Sequence, residues 1–288
     1  MRKLRLSAAL FLFAVALCAC AKKPKDNEID YYTKVGSYAE PTEGVYEAGE
    51  KDLELLGENP STVKPSGGVT TTPTPTPVPH YVVVIDAGHG GSQTGASYDG
   101  RVEKDVTLKV ASLVKEYLST HYENVDVYMT RTEDKGLAKD VADDLRMRVE
   151  FAAEKQADIL VSFHFNSSDK HSRNGSMVCI SKQPQVREGS EQLAKCILAR
   201  LASLGLKNNG PYLRDSNDMK DENGVALDYY AIPRHGAAHN LIAVIVESCY
   251  MDNKTDIPYM KDDAALTVLA EQEALGIMEF LTQYYVKQ

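Results

Sequence analysis

The sequence predicts an α/β fold, in which a mixed, mostly parallel sheet carries helices on both faces within a single domain. Three apolar runs rich in β-branched residues, at residues 82–85, 159–164 and 241–246, are typical of buried strands. Apolar residues at helical spacing lie between these runs. Alternating strands and helices favour a sheet that is covered by helices on both faces.

The predicted elements follow one another from about residue 80 to the C-terminus. Period-2 or continuous apolar runs predict strands, and the 3.6-residue period predicts helices. Strands are expected at 82–85, 125–129, 159–164, 177–181 and 241–246, and helices at 102–118, 141–152, 193–204 and 266–284.

The segment from residue 206 to 239 interrupts this alternation. It is polar and is expected to be irregular, since it contains Asn208-Asn209-Gly210-Pro211 and a polar stretch at 215–223. A long irregular segment in a compact domain is usually functional or mobile, so we interpret it as a wall of a substrate cleft. A surface excursion without function is the alternative, and whether a regulatory protein acts on this segment stays open.

Composition and charge exclude one class of partner. The 288 residues are 43% hydrophobic, which is ample for a core, and carry a net charge of -9. Because phosphate contacts need clustered Lys and Arg, this acidic chain is not expected to bind nucleic acid. Cys179, Cys196 and Cys249 have neither disulfide nor zinc-knuckle spacing and are interpreted as small buried apolar residues.

Residues 1–20 are typical of an export signal. Three basic residues precede an apolar run at 6–17 that is too short to span a membrane. The ending Leu17-Cys18-Ala19-Cys20 resembles the bacterial lipoprotein signal, in which cleavage precedes a lipid-modified cysteine, here Cys20. We therefore expect an extracytoplasmic protein that is held at the membrane by a lipid anchor and faces the cell wall, the alternative being an ordinary cleaved signal and a secreted product.

Residues 21–79 are interpreted as a disordered tether between this anchor and a domain at 80–288. The run at 70–79 alternates Thr and Pro, which favours extended polyproline II and excludes a helix or a central strand. A tether of this length reaches roughly 180 Å when fully extended.

Four polar residues follow or lie near the ends of the predicted strands. His89 follows the first strand among glycines and is expected to be exposed, Glu103 begins a helix, His164 ends the central strand, and Glu247 ends the last. Because the carboxyl ends of parallel strands meet at one edge of a sheet, these side chains can converge there.

Two histidines and a carboxylate are the ligand pattern of catalytic zinc, which leaves one position for water. Zinc-activated water suits the hydrolysis of an amide, and such a reaction needs a base. The sequence therefore predicts a zinc site at His89, Glu103 and His164, with Glu247 as the catalytic base.

The motifs around these residues resemble one known family. In order along the chain, the sequence is similar to the zinc-dependent N-acetylmuramoyl-L-alanine amidases of the amidase_3 type at Ile85-Asp86-Ala87-Gly88-His89-Gly90-Gly91, Thr94-Gly95-Ala96, Glu103, Thr130-Arg131, Ser162-Phe163-His164-Phe165-Asn166 and Val246-Glu247-Ser248-Cys249-Tyr250-Met251-Asp252-Asn253. The resemblance runs from about residue 81 to the C-terminus.

The resemblance implies a peptidoglycan hydrolase that cleaves the amide between N-acetylmuramic acid and the L-alanine of the stem peptide. It also implies that His89, Glu103 and His164 bind Zn²⁺ and that Glu247 is catalytic. The alternatives are another zinc peptidase or deacetylase of the cell wall, and a wall-binding protein without activity.

Polar residues near the predicted site are weaker candidates for contacts with a substrate. Asn166 could hold a substrate carbonyl or complete a turn. Arg234, like Arg131 and Arg146, could meet a stem-peptide carboxylate, and an arginine with a purely structural partner is the alternative.

Overall fold

The computed structural model describes residues 78–287, so the predicted signal at 1–20, Cys20 and nearly all of the predicted tether at 21–79 lie outside the described residues. The strands are β1 (Tyr81–Ala87), β2 (Ser97–Tyr98), β3 (Arg101–Val102), β4 (Val125–Met129), β5 (Ile159–Asn166), β6 (Ser176–Cys179), β7 (Asn208–Tyr212), β8 (Asp215–Lys220), β9 (Ala226–Asp228) and β10 (Ile242–Tyr250). The helices are α1 (Glu103–His121), α2 (Val141–Glu154), α3 (Pro184–Ser203), α4 (Ala231–Ala238) and α5 (Asp263–Gln283), with a 3₁₀ turn at Ile257–Met260.

Six strands form the main sheet in the order β4-β1-β5-β10-β6-β7. The pairs β4/β1, β1/β5 and β5/β10 are parallel, β6 runs antiparallel to β10, and β7 runs parallel to β6. The predicted mixed and mostly parallel sheet is confirmed. Because β1, β5 and β10 run in the same direction, their carboxyl ends share one edge.

Helices cover both faces of the sheet, as predicted. Alternate residues of a strand point to opposite faces, so Ile85 of β1 packs on one side and Val84 on the other. The larger core lies on the side of α1, α3 and α5, and the smaller one on the side of α2 and α4.

The polar segment at 206–239 is not irregular, which corrects the prediction. It contributes β7 at the edge of the main sheet, the β8/β9 hairpin and helix α4. Polar residues are tolerated here because an edge strand and a two-stranded hairpin face solvent, and Pro211 in β7 lacks an amide hydrogen that a further strand would need. The interpretation of this segment as a cleft wall stays a prediction.

The three cysteines of the domain are free and buried, as expected for small apolar residues. Within residues 78–287, the structure contains no helix whose length and hydropathy would let it span a bilayer.

Glu273 of α5 is a fully buried carboxyl group behind β10. The Ser248 hydroxyl donates a hydrogen bond to Glu273 Oε1 at 2.5 Å. Burial raises the pKa of Glu273 from 4.5 to about 8, so the folded protein retains this proton at a pH where an exposed glutamate has lost it.

This carboxyl group makes the stability of the protein depend on pH. Between pH 4.5 and about 8 the unfolded chain releases the proton and the folded chain keeps it, so the free energy of unfolding falls as the pH rises, by at most about 1.4 kcal/mol per unit. We expect Glu273→Gln to remove this contribution, so that the variant gains stability relative to the wild type from pH 5 to pH 8. Urea unfolding at both pH values measures the difference.

The matched control is Glu271→Gln, which makes the same change on α5 at a half-buried position. This control should follow the wild type at both pH values. Identical pH dependence of the wild type and the Glu273 variant would contradict the assignment.

Candidate metal centre

His89, Glu103 and His164 meet at the carboxyl edge of the parallel strands. His89 follows β1, His164 lies near the end of β5, and Glu103 is the first residue of α1. All three side chains are buried. The structure thus brings together the three residues that the sequence predicted as ligands.

The Glu103 carboxylate lies between the two imidazoles. Its Oε1 atom is 3.0 Å from His89 Nε2 and 3.1 Å from His164 Nδ1. The imidazole rings meet edge to face with their centroids 4.8 Å apart, and one ligand atom from each residue lies within 4.8 Å of the others. A single ion can therefore be shared by all three side chains after small adjustments.

Backbone amides fix both oxygens of Glu103. Phe165 N donates to Oε1 at 3.1 Å, and Ala96 N donates to Oε2 at 2.8 Å. Because Phe165 follows His164 directly, the carboxylate and one imidazole are tied to the same strand. This restraint holds the Glu103 side chain in one orientation.

Two glycines leave the room that these side chains occupy. A Cβ atom on Gly88 would lie less than 3.0 Å from the His164 ring, and one on Gly95 less than 3.0 Å from both Glu103 Oε2 and His89 Nε2. Atoms do not approach so closely without a shift of the structure. Any larger residue at either position would displace a predicted ligand.

His89 is 7% exposed, so the expectation that it stands exposed is wrong. The glycines that flank it in sequence do not leave it open to solvent. Gly88 leaves room for the His164 ring, and Gly95, farther along the chain, leaves room for the Glu103 carboxylate beside His89.

The electrostatics of the cluster favour an ionised Glu103 carboxylate and a neutral His164 imidazole. Burial acts to raise the pKa of Glu103, but the His89 and His164 imidazoles outweigh it, so the pKa lies below its usual range. Burial lowers the pKa of His164, although its hydrogen bond with Glu103 opposes this. An ionised carboxylate and neutral imidazoles are the forms that bind a metal ion, and this donor set suits zinc.

Glu247 of β10 is the register partner of His164 on β5, so both side chains point to the same face of the sheet. Burial, reinforced by the charge of Glu103, raises the pKa of Glu247 well above its usual range. A second carboxyl group thus lies beside the His-Glu-His cluster, as the sequence predicted, but β10 continues to Tyr250, so the prediction that Glu247 ends the strand is wrong.

The weaker candidates have different surroundings. Asn166, at the end of β5, is buried; its Oδ1 accepts a hydrogen bond from Ser167 N, and its Nδ2 has no hydrogen-bond partner among the described residues. Arg234 Nη1 donates to the carbonyls of Asp228 and Tyr229, which joins α4 to the end of β9. A substrate contact for Asn166 or Arg234 stays a prediction.

Arg148 is a buried residue next to the His89 turn that the sequence analysis did not single out. Arg148 is 1% exposed and lies on the inner face of α2, among Leu145, Val149 and Ala152. A charged residue on the apolar stripe of a helix is the signal that could have identified it.

The carboxyl edge of this parallel sheet gathers two imidazoles and two carboxyl groups, a donor set that could hold a metal ion and suits hydrolytic chemistry. The N-acetylmuramoyl-L-alanine amidase family matches residues 83–279. The chain belongs to this family.

Individual relatives agree with this assignment. The endolysin of Bacillus phage SPP1 is 30% identical over 202 residues, which cover 69% of this chain and 66% of the endolysin. Among solved structures, Cwp6 from Clostridium difficile is similar with a TM-score of 0.60 and 30% identity, covering 70% of this chain and 29% of Cwp6. The catalytic domain of CwlV, an N-acetylmuramoyl-L-alanine amidase from Bacillus (Paenibacillus) polymyxa var. colistinus, has a TM-score of 0.55 and 27% identity, covering 70% of this chain and 98% of that domain.

The close approach of Gly95 to the cluster generates a prediction. We expect Gly95→Ala to weaken binding of a divalent metal at least about tenfold, because the new methyl group would push apart Glu103 and His89. Titration of the metal-free protein with Zn²⁺ against a chelating indicator measures the affinity.

Gly100→Ala is the matched control for this substitution. Gly100 also has a positive φ, 77° against 67° for Gly95, but a Cβ atom there would meet nothing within 4 Å. The control has a similar backbone cost and should keep its metal affinity. Equal affinities in the two variants would show that the space at Gly95 is irrelevant to the site.

Proposed function

We propose that this protein is a zinc-dependent N-acetylmuramoyl-L-alanine amidase, which cleaves the amide between N-acetylmuramic acid and the L-alanine of the stem peptide in peptidoglycan. The observation that carries the proposal is the His89-Glu103-His164 cluster with Glu247 beside it, in a chain of this family. The chain spans less than two thirds of the length of the endolysin and of Cwp6. The activity of this protein is therefore a proposal and is not inferred from those two proteins alone.

His89, Glu103 and His164 would hold the zinc ion through two nitrogens and one carboxylate oxygen. When bound, zinc lowers the pKa of a water molecule toward about 7 and polarises a carbonyl group. The protein buries the three side chains, and the amides of Ala96 and Phe165 keep the Glu103 carboxylate oriented.

Glu247 would act as the base. Its place beside His164 on the neighbouring strand puts its carboxyl group next to the cluster. There it accepts the proton of the attacking water and passes that proton to the nitrogen of the leaving L-alanine. No covalent intermediate with the protein is needed.

Two further residues are proposed to contact the substrate. The buried Nδ2 of Asn166, two residues beyond His164 on the same face of β5, is a donor suited to a substrate carbonyl. Arg234 uses Nη1 for two backbone carbonyls, and its other guanidinium donors suit a stem-peptide carboxylate.

Removal of the metal tests the proposed function. We expect a chelator to abolish the release of stem peptides from purified peptidoglycan and added Zn²⁺ to restore it. Glu247→Gln should still bind zinc but lose activity by about 10²-fold or more, because an amide cannot accept the proton.

Analysis of the products separates the amidase from the alternatives. An amidase frees an intact stem peptide with an N-terminal L-alanine, whereas another zinc peptidase or a deacetylase yields different products. Activity that persists in chelator, or an unchanged Glu247→Gln enzyme, would refute the mechanism; binding to the wall without any product would indicate a non-catalytic protein.

We also propose that residues 1–20 are an export signal, that Cys20 receives a lipid, and that residues 21–79 tether the catalytic domain at 80–288 to the membrane. The basic and apolar N-terminus, the cysteine motif and the Thr/Pro run support this organisation. The protein would then act on the wall from an extracytoplasmic membrane surface.

Substitution of the anchor tests this arrangement. We expect Cys20→Ser to move the protein from the membrane fraction to the soluble extracytoplasmic fraction, because Cys20 is the residue proposed to carry the lipid and serine lacks the thiol to which the lipid is attached. Fractionation followed by immunoblotting measures the change, and Cys18→Ser is the matched control that should stay with the membrane. Equal distribution of both variants and the wild type would contradict lipid attachment at Cys20.

A further inference from the structure

Two buried arginines lie under the loop that carries His89. Arg131 is 2% exposed and Arg148 is 1% exposed, and both direct their guanidinium groups at backbone carbonyls. Neither has a role in the proposed reaction. A buried guanidinium group needs several acceptors, so its partners indicate what it holds in place.

Arg148 connects α2 to both sides of the turn at the end of β1. Its Nη1 donates to Ala87 O at 2.8 Å and its Nη2 to His89 O at 2.7 Å. Two carboxylates compensate its charge: Asp86 Oδ1 lies 2.8 Å from Nη1, and Asp144 Oδ2 lies 2.7 Å from Nε. The guanidinium group is therefore fixed on all sides.

Arg131 connects two segments that carry different ligands. Its Nε donates to Ala87 O at 2.8 Å. Its Nη2 donates to Gly88 O at 2.9 Å and to Lys104 O at 2.8 Å. Because Lys104 follows Glu103, a single amino group ties the start of α1 to the turn that precedes His89.

The turn needs such support because its backbone is strained. His89 has a φ of 63°, a conformation that is uncommon for residues other than glycine. The three consecutive carbonyls of residues 87–89 all accept hydrogen bonds from the two arginines. These bonds satisfy buried acceptors only while the backbone keeps this shape.

We propose that Arg131 and Arg148 are positioning residues that preset the His89 turn and the start of α1 for metal binding. Arg148 fixes the turn, and Arg131 fixes the distance from the turn to Glu103. This inference rests on the proposed metal site. Lysine would keep the charge at either position, but it lacks the planar fork that binds several carbonyls at once.

Zinc affinity, measured without any substrate, tests the inference. We expect Arg148→Lys and Arg131→Lys each to weaken zinc binding to the full chain about 10- to 100-fold in competition with a chelator of known affinity. Replacing zinc by Co²⁺ should give the variants a visible absorption spectrum that differs from that of the wild type, because the ligand geometry changes.

The matched control is Val149→Ala, next to Arg148 on the same helix. Val149 is fully buried in the smaller apolar core, so its truncation lowers the melting temperature without touching the turn. It should keep the wild-type zinc affinity. If it loses affinity as the lysine variants do, general destabilisation explains the effect and the inference is wrong.

The remaining outcomes separate this inference from the proposed function. A wild-type protein that does not bind zinc would overturn the function itself. A wild type that binds zinc, together with lysine variants of unchanged affinity, would overturn only the positioning role.

If the lysine variants do not fold, Thr107→Val carries the same test. It removes a buried hydroxyl that donates to Gly88 O at 2.7 Å and accepts from Arg131 Nη2 at 3.2 Å. A loss of zinc affinity of about threefold or more supports the positioning role, and an unchanged affinity refutes it.

Discussion

The contact of one carboxylate with two imidazoles is the constraint on which the structure of the site depends. Glu103 reaches His89 and His164 from the first turn of a helix, while His89 lies in the turn after β1 and His164 lies in β5. Three separate segments must therefore keep their relative positions to a fraction of an ångström. The parallel sheet supplies the coarse alignment, and the hydrogen bonds of Ala96 and Phe165 supply the fine one.

The residues packed around the cluster also determine the geometry of its predicted ligands. The glycines at 88 and 95 matter because of the side chains that occupy the space beside them, and the buried arginines matter because the carbonyls near His89 have to be satisfied. The apolar core behind the sheet is less specific. It needs only residues of suitable size on alternate positions of each strand.

Much of the architecture could be predicted from the sequence because apolar patterning determines which segments are buried. Strand β4 has the predicted bounds, and the convergence of His89, Glu103 and His164 follows from parallel strands that share an edge. The other main strands and helices overlap their predicted ranges, but α3 begins at Pro184, well before 193, and β10 continues beyond 246 to Tyr250. Two features could not be predicted. The position of β7 at the edge of the sheet depends on pairing between polar residues, which leaves no periodic signal in the sequence. The burial of His89 depends on how a glycine-rich turn folds back onto its neighbours.

The outer strand β7 has a consequence for how copies of this protein behave when they are crowded. Pro211 offers no amide hydrogen, and Gly210 has a φ of 82°, which departs from the extended backbone of a regular strand. A neighbouring molecule would find no continuous row of donors on this side with which to extend the sheet. The β7 edge of the sheet therefore resists extension by a strand of a second copy.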